Sequence, residues 1–216
     1  MKILNLFANI GGNRRLWGND HEITAVEINP KIAAIYQEFW SNDTVVVADA
    51  HQYLLDHYKE FDFIWSSPPC PTHSSWGMLR ATVSEDNKTG QYSPAKYPDM
   101  ALYQEILLLK HYFKGLYCVE NVIAFYEPLI RPTEFGGHWF WTNFPLTAID
   151  LGGRGMGNNE DINKRCEQLG FDIEKLKGRG IDKRLAIRDC TEPELGKHIL
   201  DLAINPIELQ PNLFKV

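Results

Sequence analysis

The chain has 216 residues, 44% of them hydrophobic and 12% aromatic, which is enough apolar material for one sizeable domain. Its net charge of −6 argues mildly against nucleic-acid binding, because phosphate contacts need lysine and arginine. No apolar run is long enough to span a membrane, and the first residues lack the apolar core of a signal peptide. The four cysteines have no zinc-ligand spacing. We therefore expect a cytoplasmic protein with free thiols, no bound metal and no membrane partner.

Strand and helix patterns alternate over the first two thirds of the chain. The predicted strands are 3–7, 23–26, 44–48, 61–65, 116–119 and 139–144, and the predicted helices are 30–39, 49–58 and 100–113. Repeated strand–helix units predict an α/β fold with a largely parallel sheet and helices on both faces. A long polar loop is expected from 72 to 98, a short irregular insertion from 151 to 182, and a helix-like segment at 193–204. Ligands of such sheets bind at the carboxyl ends of the strands.

Acidic residues follow the second and third predicted strands. Glu27 can accept hydrogen bonds from ribose hydroxyls, and Asp49 from an adenine amino group. For either residue alone, a helix N-cap or a loop acid is the favoured interpretation. The pair Gly11-Gly12 after the first strand lets a backbone approach a ligand closely. The glycine fingerprint of dinucleotide-binding proteins is absent, so these residues together favour an adenosine-type cofactor.

The next two strand ends carry groups suited to chemistry. Pro68-Pro69-Cys70-Pro71 follows the fourth strand, and its prolines fix the loop and aim the thiol into the crevice. Glu120 comes directly after the fifth strand, where partial desolvation suits a proton donor. The structural alternatives are a loop cysteine without a role and a buried acid satisfied by backbone donors.

Basic residues crowd the stretch 175–188 of this acidic chain. Such a stretch is either a solvated charged face or the side that contacts DNA phosphates.

Taken in order, these segments resemble those of the DNA cytosine-C5 methyltransferases, particularly their short phage-type members. The segments that carry the resemblance are Leu4–Phe7 with Gly11-Gly12, Glu27, Asp49, Pro69-Cys70, Glu120–Val122 and the tail Asp189–Gly196. The resemblance implies a Rossmann-like methyltransferase fold that uses S-adenosylmethionine and releases S-adenosylhomocysteine, with double-stranded DNA as partner. It implies a core at 1–150, a much reduced target-recognition region at 151–182, and a C-terminal segment at 183–216 that packs back on the core.

The same resemblance implies roles for individual residues. Phe7 stacks on the adenine, Glu27 holds the ribose and Asp49 binds the adenine amino group. The rest of the expected cofactor pocket consists of Asn9, Gly11, Gly12, Ile28, Ala50 and Pro68. Cys70 adds to carbon 6 of a flipped-out cytosine, Glu120 protonates or hydrogen-bonds ring N3, and Asn121 fixes the Pro-Cys loop. The expected DNA contacts are Ser74, Arg154, Lys175, Lys177 and Arg179.

Some positions depart from the family pattern. Asn9 stands where a glycine is usual, and Pro71 where a glutamine is usual. A motif that normally carries two arginines has Gly136 and His138 instead, with Arg131 nearby, so His138 is the expected contact to the base. These departures leave open a catalytically weak relative that binds DNA or a partner. The same chemistry on RNA, on a nucleotide, or with a modified S-adenosylmethionine also stays open. A nicotinamide oxidoreductase is disfavoured by the missing glycine fingerprint.

Overall fold

A single seven-stranded sheet forms the centre of the molecule. The computed structural model describes residues 1–75, 97–149 and 161–205. The strands are β1 Lys2–Leu6, β2 Glu22–Val26, β3 Thr44–Val46, β4 Phe63–Ser66, β5 Leu116–Val122, β6 Thr133–Phe135 and β7 His138–Thr142. The described α-helices are α1 Pro30–Phe39, α2 Ala50–His57, α3 Ala101–Tyr112, α4 Ile162–Gln168, α5 Lys183–Arg188 and α6 Pro193–Ile204.

The sheet has the strand order β3-β2-β1-β4-β5-β7-β6. Strands β1 to β5 are parallel to one another. Strand β7 lies between β5 and β6 and is antiparallel to both. The strand order reverses beside β1, so the carboxyl ends of β1 and β4 border the crevice where ligands of open α/β sheets bind. The predicted α/β fold with a largely parallel sheet is confirmed.

Local signals in the sequence start the helices that follow β2 and β3. Asn29 caps α1 by accepting hydrogen bonds from Lys31 N and Ile32 N, and Pro30 occupies the first helical position. Asp49 caps α2 by accepting from Gln52 N. Each cap lies three residues after the end of a strand. The first therefore places the start of α1 close to Glu27, and the second is Asp49 itself.

Alternating residues of β1 belong to the hydrophobic layers on the two faces of the sheet. Leu4 and Leu6 pack in the cluster that includes α2 and α3, whereas Ile3 packs with Trp65 and with the apolar residues of α6. This alternation follows from the two-residue period of a strand. Cys118 is fully buried in the second cluster, as the sequence predicted for a core cysteine, and all four thiols are free.

Residues 161–182 differ from the irregular insertion expected at 151–182. They form α4 and a 3₁₀ turn at Ile173–Leu176, and α5 follows directly. Their apolar side chains share a cluster with Ile10 and Ile35, so this part of the chain is a helical layer against α1. The short strand β6 was also not predicted, because three residues with one apolar side chain carry no periodic signal. Within the described ranges, none of the helices is both long and apolar enough to cross a bilayer.

Candidate active site

The loop after β1 holds two non-glycine residues in the left-handed region. Phe7 has φ 54° and Asn9 has φ 49°, and Gly11 follows with φ 83°. Such backbone costs of order 1–3 kcal/mol per residue and persists only where neighbours enforce it. One neighbour is the carboxylate of Glu27, whose Oε2 accepts a hydrogen bond of 3.0 Å from Asn9 N. The loop is therefore held rigidly beside the end of β2.

Glu27 and Asp49 lie at the strand ends where the sequence predicted them. Glu27 is 9% exposed, and its Oε1 accepts a 2.8 Å hydrogen bond from Asn29 N. A carboxylate has about four acceptor positions, so these two backbone donors leave Glu27 able to accept further bonds from a ligand. Asp49 is exposed and uses Oδ1 to cap α2, with 2.9 Å to Gln52 N. Asp49 is thus the helix N-cap that the sequence left open as an alternative. Its second carboxylate oxygen is not used by the cap and can contact a ligand.

The Gly11-Gly12 pair packs closely against other parts of the chain. A Cβ on Gly11 would lie 2.4 Å from Nε1 of Trp40, and one on Gly12 would lie 2.6 Å from the carbonyl oxygen of Thr191. The glycines therefore admit the protein's own α1 and C-terminal segment. Asn9 joins the same contact, because its Nδ2 donates to the carbonyl of Ala186 over 2.7 Å.

The Pro-Cys loop leaves β4 and is tied to the next strand. Nδ2 of Asn121 donates a 3.0 Å hydrogen bond to the carbonyl of Pro68, in the arrangement that the resemblance implies for Asn121. The carbonyl of Cys70 accepts from His73 N over 2.9 Å and from Ser74 N over 3.0 Å, which closes a turn directly after the thiol. Cys70 is half-buried, whereas Pro68 is buried.

The surroundings of Cys70 oppose its ionisation. Burial, followed by the negative charges of Asp189 and Glu120, raises the pKa of the thiol to about 11. A thiolate is the nucleophilic form of cysteine, so the ligand-free site holds Cys70 mainly as the neutral thiol at pH 7.

Glu120 has a histidine beside it. Strands β5 and β7 pair Glu120 with Phe140 and Val122 with His138, so Glu120 and His138 are diagonal neighbours on one face. Nε2 of His138 lies 3.6 Å from Oε1 of Glu120. The ring is fixed from its other side, since Nδ1 lies 3.2 Å from the carbonyl oxygen of Gly136.

A two-glycine turn positions His138 at the start of β7. Gly136 and Gly137 have φ 59° and 78°, and Phe135 pairs directly with His138 across the turn. Positive φ at both central residues is the requirement of the tight hairpin turn that matches strand twist. The glycine found at position 136 thus has a backbone role, and His138 provides the side chain.

A small cavity separates the β1 loop from the C-terminal segment. It is lined by Phe7, Ala8, Asn9, Gly12, Asn13, Ser67, Asp189, Cys190 and Thr191. The buried Oδ1 of Asn9 has no hydrogen-bond partner, so the cavity wall carries an acceptor without a donor. Beyond it, Ile28 and Val47 expose 66% and 55% of their surface at the ends of β2 and β3. Exposed apolar side chains thus follow β2 and β3, next in sequence to Glu27 and close to Asp49.

Comparison with known proteins relates the N-terminal part of the chain to a family. Residues 1–90, from β1 through the Pro-Cys loop, match the family model described as C-5 cytosine-specific DNA methylase. This part of the chain is similar to that family, and residues 91–216 lie outside the match. The family consists of methyltransferases that depend on S-adenosylmethionine. Among curated proteins, no sequence matches the chain significantly.

Solved structures with a similar arrangement include methyltransferases. A hypothetical protein of Thermus thermophilus is 18% identical, with 65% of this chain and 73% of that chain covered and a TM-score of 0.43. A mutant DNMT2 of Spodoptera frugiperda is 25% identical over 56% of this chain and 35% of its own, with a TM-score of 0.35. The methyltransferase EhMeth of Entamoeba histolytica is 16% identical over 56% and 38%, also with a TM-score of 0.35. The chain thus matches little more than a third of the latter two proteins.

The basic residues expected to bind DNA have partners within the chain. Lys177 pairs with Glu174, and Arg179 pairs with Glu38 of α1. Nζ of Lys175 lies 4.8 Å from the ring centroid of Phe39. These three basic side chains therefore lie on the surface beside α1, interspersed with acids.

Two further residues, Ser74 and Arg154, are predicted DNA contacts. Ser74 forms a backbone bridge with Ala124 after β5, so it lies next to the Pro-Cys loop. Arg154 lies outside the described residues.

The sequence reasoning missed the contribution of the C-terminal segment. Asp189 and Cys190 line the cavity opposite Phe7 and Ser67, and the charge of Asp189 acts on Cys70. Burial raises the pKa of Asp189, while its ion-pair partner Arg188 lowers it. The available signal was the tail Asp189–Gly196, which carries part of the resemblance but gave no indication of which of its residues faces the site.

Proposed function

We propose that this protein is a DNA cytosine-C5 methyltransferase that uses S-adenosylmethionine and Cys70. The observation that carries the proposal is the Asn121–Pro68 hydrogen bond, 3.0 Å long. It joins the end of β5, where Glu120 lies, to the loop that presents Cys70. A nucleophile and an acid are thereby held on adjacent strands, beside a crevice with adenosine-type features.

The residues around the crevice fit S-adenosylmethionine. Glu27 would hold the ribose hydroxyls and Asp49 the adenine amino group. Phe7, Ile28 and the neighbouring Ala50 would provide the apolar surface for the base. The unpartnered Oδ1 of Asn9 and the carboxylate of Asp189 are acceptors suited to an ammonium group. When bound, the cofactor supplies a methyl group on a sulfonium sulfur.

The protein residues account for the remaining chemistry. Cys70 loses its proton and forms a bond from sulfur to carbon 6 of a flipped-out cytosine. Glu120 hydrogen-bonds or protonates ring N3, which stabilises the negative charge that develops in the ring. The resulting charge on carbon 5 is what would make it the acceptor of the methyl group that the bound cofactor would supply. Loss of the carbon 5 proton to a base restores the ring double bond and expels the Cys70 thiolate.

A second candidate is a related protein that binds nucleic acid without efficient turnover. It is favoured by the raised pKa of Cys70 and by a histidine in place of arginine beside Glu120. The reacting groups expected for catalysis are nevertheless present, which favours the first candidate.

Covalent capture separates the two candidates. Incubation with duplex DNA containing 5-fluorocytosine and S-adenosylmethionine should give a protein–DNA adduct, because fluorine cannot leave carbon 5 as a cation. Cys70→Ala should form no adduct, while its affinity for S-adenosylhomocysteine, measured by calorimetry, stays within about twofold of the unaltered protein. Cys118→Ala, which removes a thiol from the core, is the matched control and should still react.

The substrate class is read from the same assay. Fluorocytosine in RNA of the same sequence should react less than in DNA. An adduct that persists in Cys70→Ala would refute the assignment of the nucleophile. The absence of any adduct from the unaltered protein would favour the binding protein.

A further inference from the structure

A buried carboxylate lies behind the site, on helix α3. Glu105 is 1% exposed, although the neighbouring core-facing positions of α3 are the apolar Leu102, Ile106 and Leu109. Burying a charge is costly unless it is paired and hydrogen-bonded. Glu105 has two partners. Its Oε2 accepts a 2.6 Å hydrogen bond from Ser66 Oγ, and its Oε1 lies 3.2 Å from Nδ1 of His51.

The two partners belong to the two halves of the site. Ser66 is the last residue of β4, in register with Leu6 of β1 and Val119 of β5, and it precedes the Pro-Cys loop by one residue. His51 is the second residue of α2 and follows Asp49 and Ala50, where the adenine is expected. One side chain thus contacts both the start of the nucleophile loop and the first turn of the helix on the cofactor side.

His51 provides a charge that can pair with Glu105. The hydrogen bond to Glu105 is the main reason why the pKa of His51 is raised; burial opposes the shift, and the charges of Glu105, Asp49 and Asp99 add to it. His111 and Tyr112 line the same groove between α2 and α3. Below the raised pKa, His51 is a cation facing a buried carboxylate, and above it Glu105 loses that opposite charge.

We propose that Glu105 is a positioning residue that fixes the Pro-Cys loop and the first turn of α2 relative to each other, more firmly when His51 is protonated. The inference rests on the proposed function, because it assigns the two contacts of Glu105 to the nucleophile side and the cofactor side of that site. A separate substitution removes each contact, and a separate measurement reports on each.

The two readouts are the dissociation constant of S-adenosylhomocysteine and the rate at which iodoacetamide alkylates Cys70. Glu105→Gln keeps the shape of the side chain but removes its charge, and it should change both quantities by about three- to tenfold at pH 6.5. Ser66→Ala should change the alkylation rate alone. His51→Gln should change the dissociation constant alone. Gln104→Ala, the exposed neighbour on the same helix, is the matched control and should change neither.

The pH dependence gives an independent check. In the unaltered protein, affinity for S-adenosylhomocysteine should fall as pH rises through the raised pKa of His51, because the charge that pairs with Glu105 disappears. In Glu105→Gln, the affinity for S-adenosylhomocysteine should no longer fall with rising pH above pH 6.5. NMR titration should show a lower pKa of His51 than in the unaltered protein.

A merely structural role would give a different result. If Glu105→Gln lowers the melting temperature but leaves both readouts and their pH profile unchanged, the proposal is refuted. Neither readout requires turnover. A protein that forms no adduct with fluorocytosine DNA would therefore refute the proposed function while these measurements still decide the role of Glu105.

Discussion

At the scale of single residues, the charge around Cys70 is the feature that most affects reactivity. Two carboxylates, Asp189 and Glu120, act on a half-buried thiol whose pKa is raised to about 11. A negative neighbour stabilises the neutral thiol relative to the thiolate. Glu120 has an expected role at the base, whereas Asp189 comes from the C-terminal segment and has no such role, so its effect on the thiol can be tested in isolation.

Asp189→Asn should lower the pKa of Cys70, because it removes one of the two charges that oppose ionisation. At pH 8 the thiolate fraction, and with it the alkylation rate, should increase about two- to tenfold, since each tenfold corresponds to one pKa unit. The measurement is the rate of Cys70 alkylation by iodoacetamide between pH 7 and 10, followed by mass spectrometry.

Asp201→Asn is the control for this change in charge, because Asp201 is exposed and pairs with Lys197. It should leave the alkylation profile of Cys70 unchanged. An Asp189→Asn profile that coincides with that of the unaltered protein would show that the charge of Asp189 does not contribute to the raised pKa of the thiol.

At the scale of secondary-structure elements, α6 is closely joined to the segment after β1. A Cβ on Gly196 would lie 2.3 Å from the carbonyl oxygen of Asn13 and 2.7 Å from its Cα. These are backbone atoms, which cannot rotate away as the end of a side chain can. The glycine therefore allows α6 to pack directly against the 3₁₀ turn Asn13–Leu16, which continues the loop that carries Phe7 and Asn9.

Gly196→Ala should destabilise the protein by about 1–3 kcal/mol through overpacking. The sign of this change in the free energy of unfolding is informative, because alanine in the interior of an unconstrained helix is about 1 kcal/mol more favourable than glycine. Urea denaturation gives the free energy of unfolding. Lys197→Ala, at the next and exposed position, should change it by no more than about 0.5 kcal/mol. A neutral or stabilising Gly196→Ala would contradict the close packing of α6.

Strands and helices with strong periodicity were predictable from the sequence. The buried strands β1, β2 and β4 and the capped helix α1 carry such signals, and the structure places them within one or two residues of the prediction. The strand β6 is too short to carry a period. The helices α4 and α5 were missed because their apolar faces are completed by α1, and that partner is distant in sequence. Tertiary packing, which a linear pattern does not record, decided these elements.

The candidate site was predictable to a similar degree. Glu27, Asp49, Cys70 and Glu120 were predicted as site residues because each lies at or shortly after the end of a strand whose pattern is clear; in the structure Glu120 is still part of β5. Glu105 lies in the middle of a helix, where its carboxylate gives no sign of the contact with Ser66. Lys177 and Arg179 pair with Glu174 and Glu38. Both acids lie outside the stretch 175–188, so that stretch alone could not predict the pairing.

At the scale of the whole molecule, the distribution of charge bears on how an acidic protein would hold DNA. The basic residues beside α1 already have acidic neighbours. Ion pairs between exposed side chains contribute only about 0–1 kcal/mol, so a phosphate can compete for the same cations. The surface beside α1 thus remains the proposed contact with the DNA backbone.

Replacing Lys175, Lys177 and Arg179 together with glutamine should weaken binding to all duplex sequences. The slope of log affinity against log salt should flatten by up to about three units, roughly one for each phosphate that the variant no longer neutralises. Fluorescence anisotropy on one duplex over a series of salt concentrations measures this slope. A matched triple variant at Lys2, Lys59 and Lys114, which lie elsewhere in the chain, should keep the original slope. Identical slopes for all three proteins would show that the surface beside α1 is only solvated.

The hairpin between β6 and β7 has a consequence for how this protein could diverge. His138 faces Glu120 because two glycines separate it from Phe135, and successive side chains of a strand point to opposite faces. Inserting or deleting one residue in the turn would rotate the start of β7 by one position and bring the adjacent indole or glycine toward the acid. A change of length in this hairpin, with no substitution at Glu120 or His138, would thus exchange the side chain that lies beside Glu120, at the position where we propose that the base is contacted.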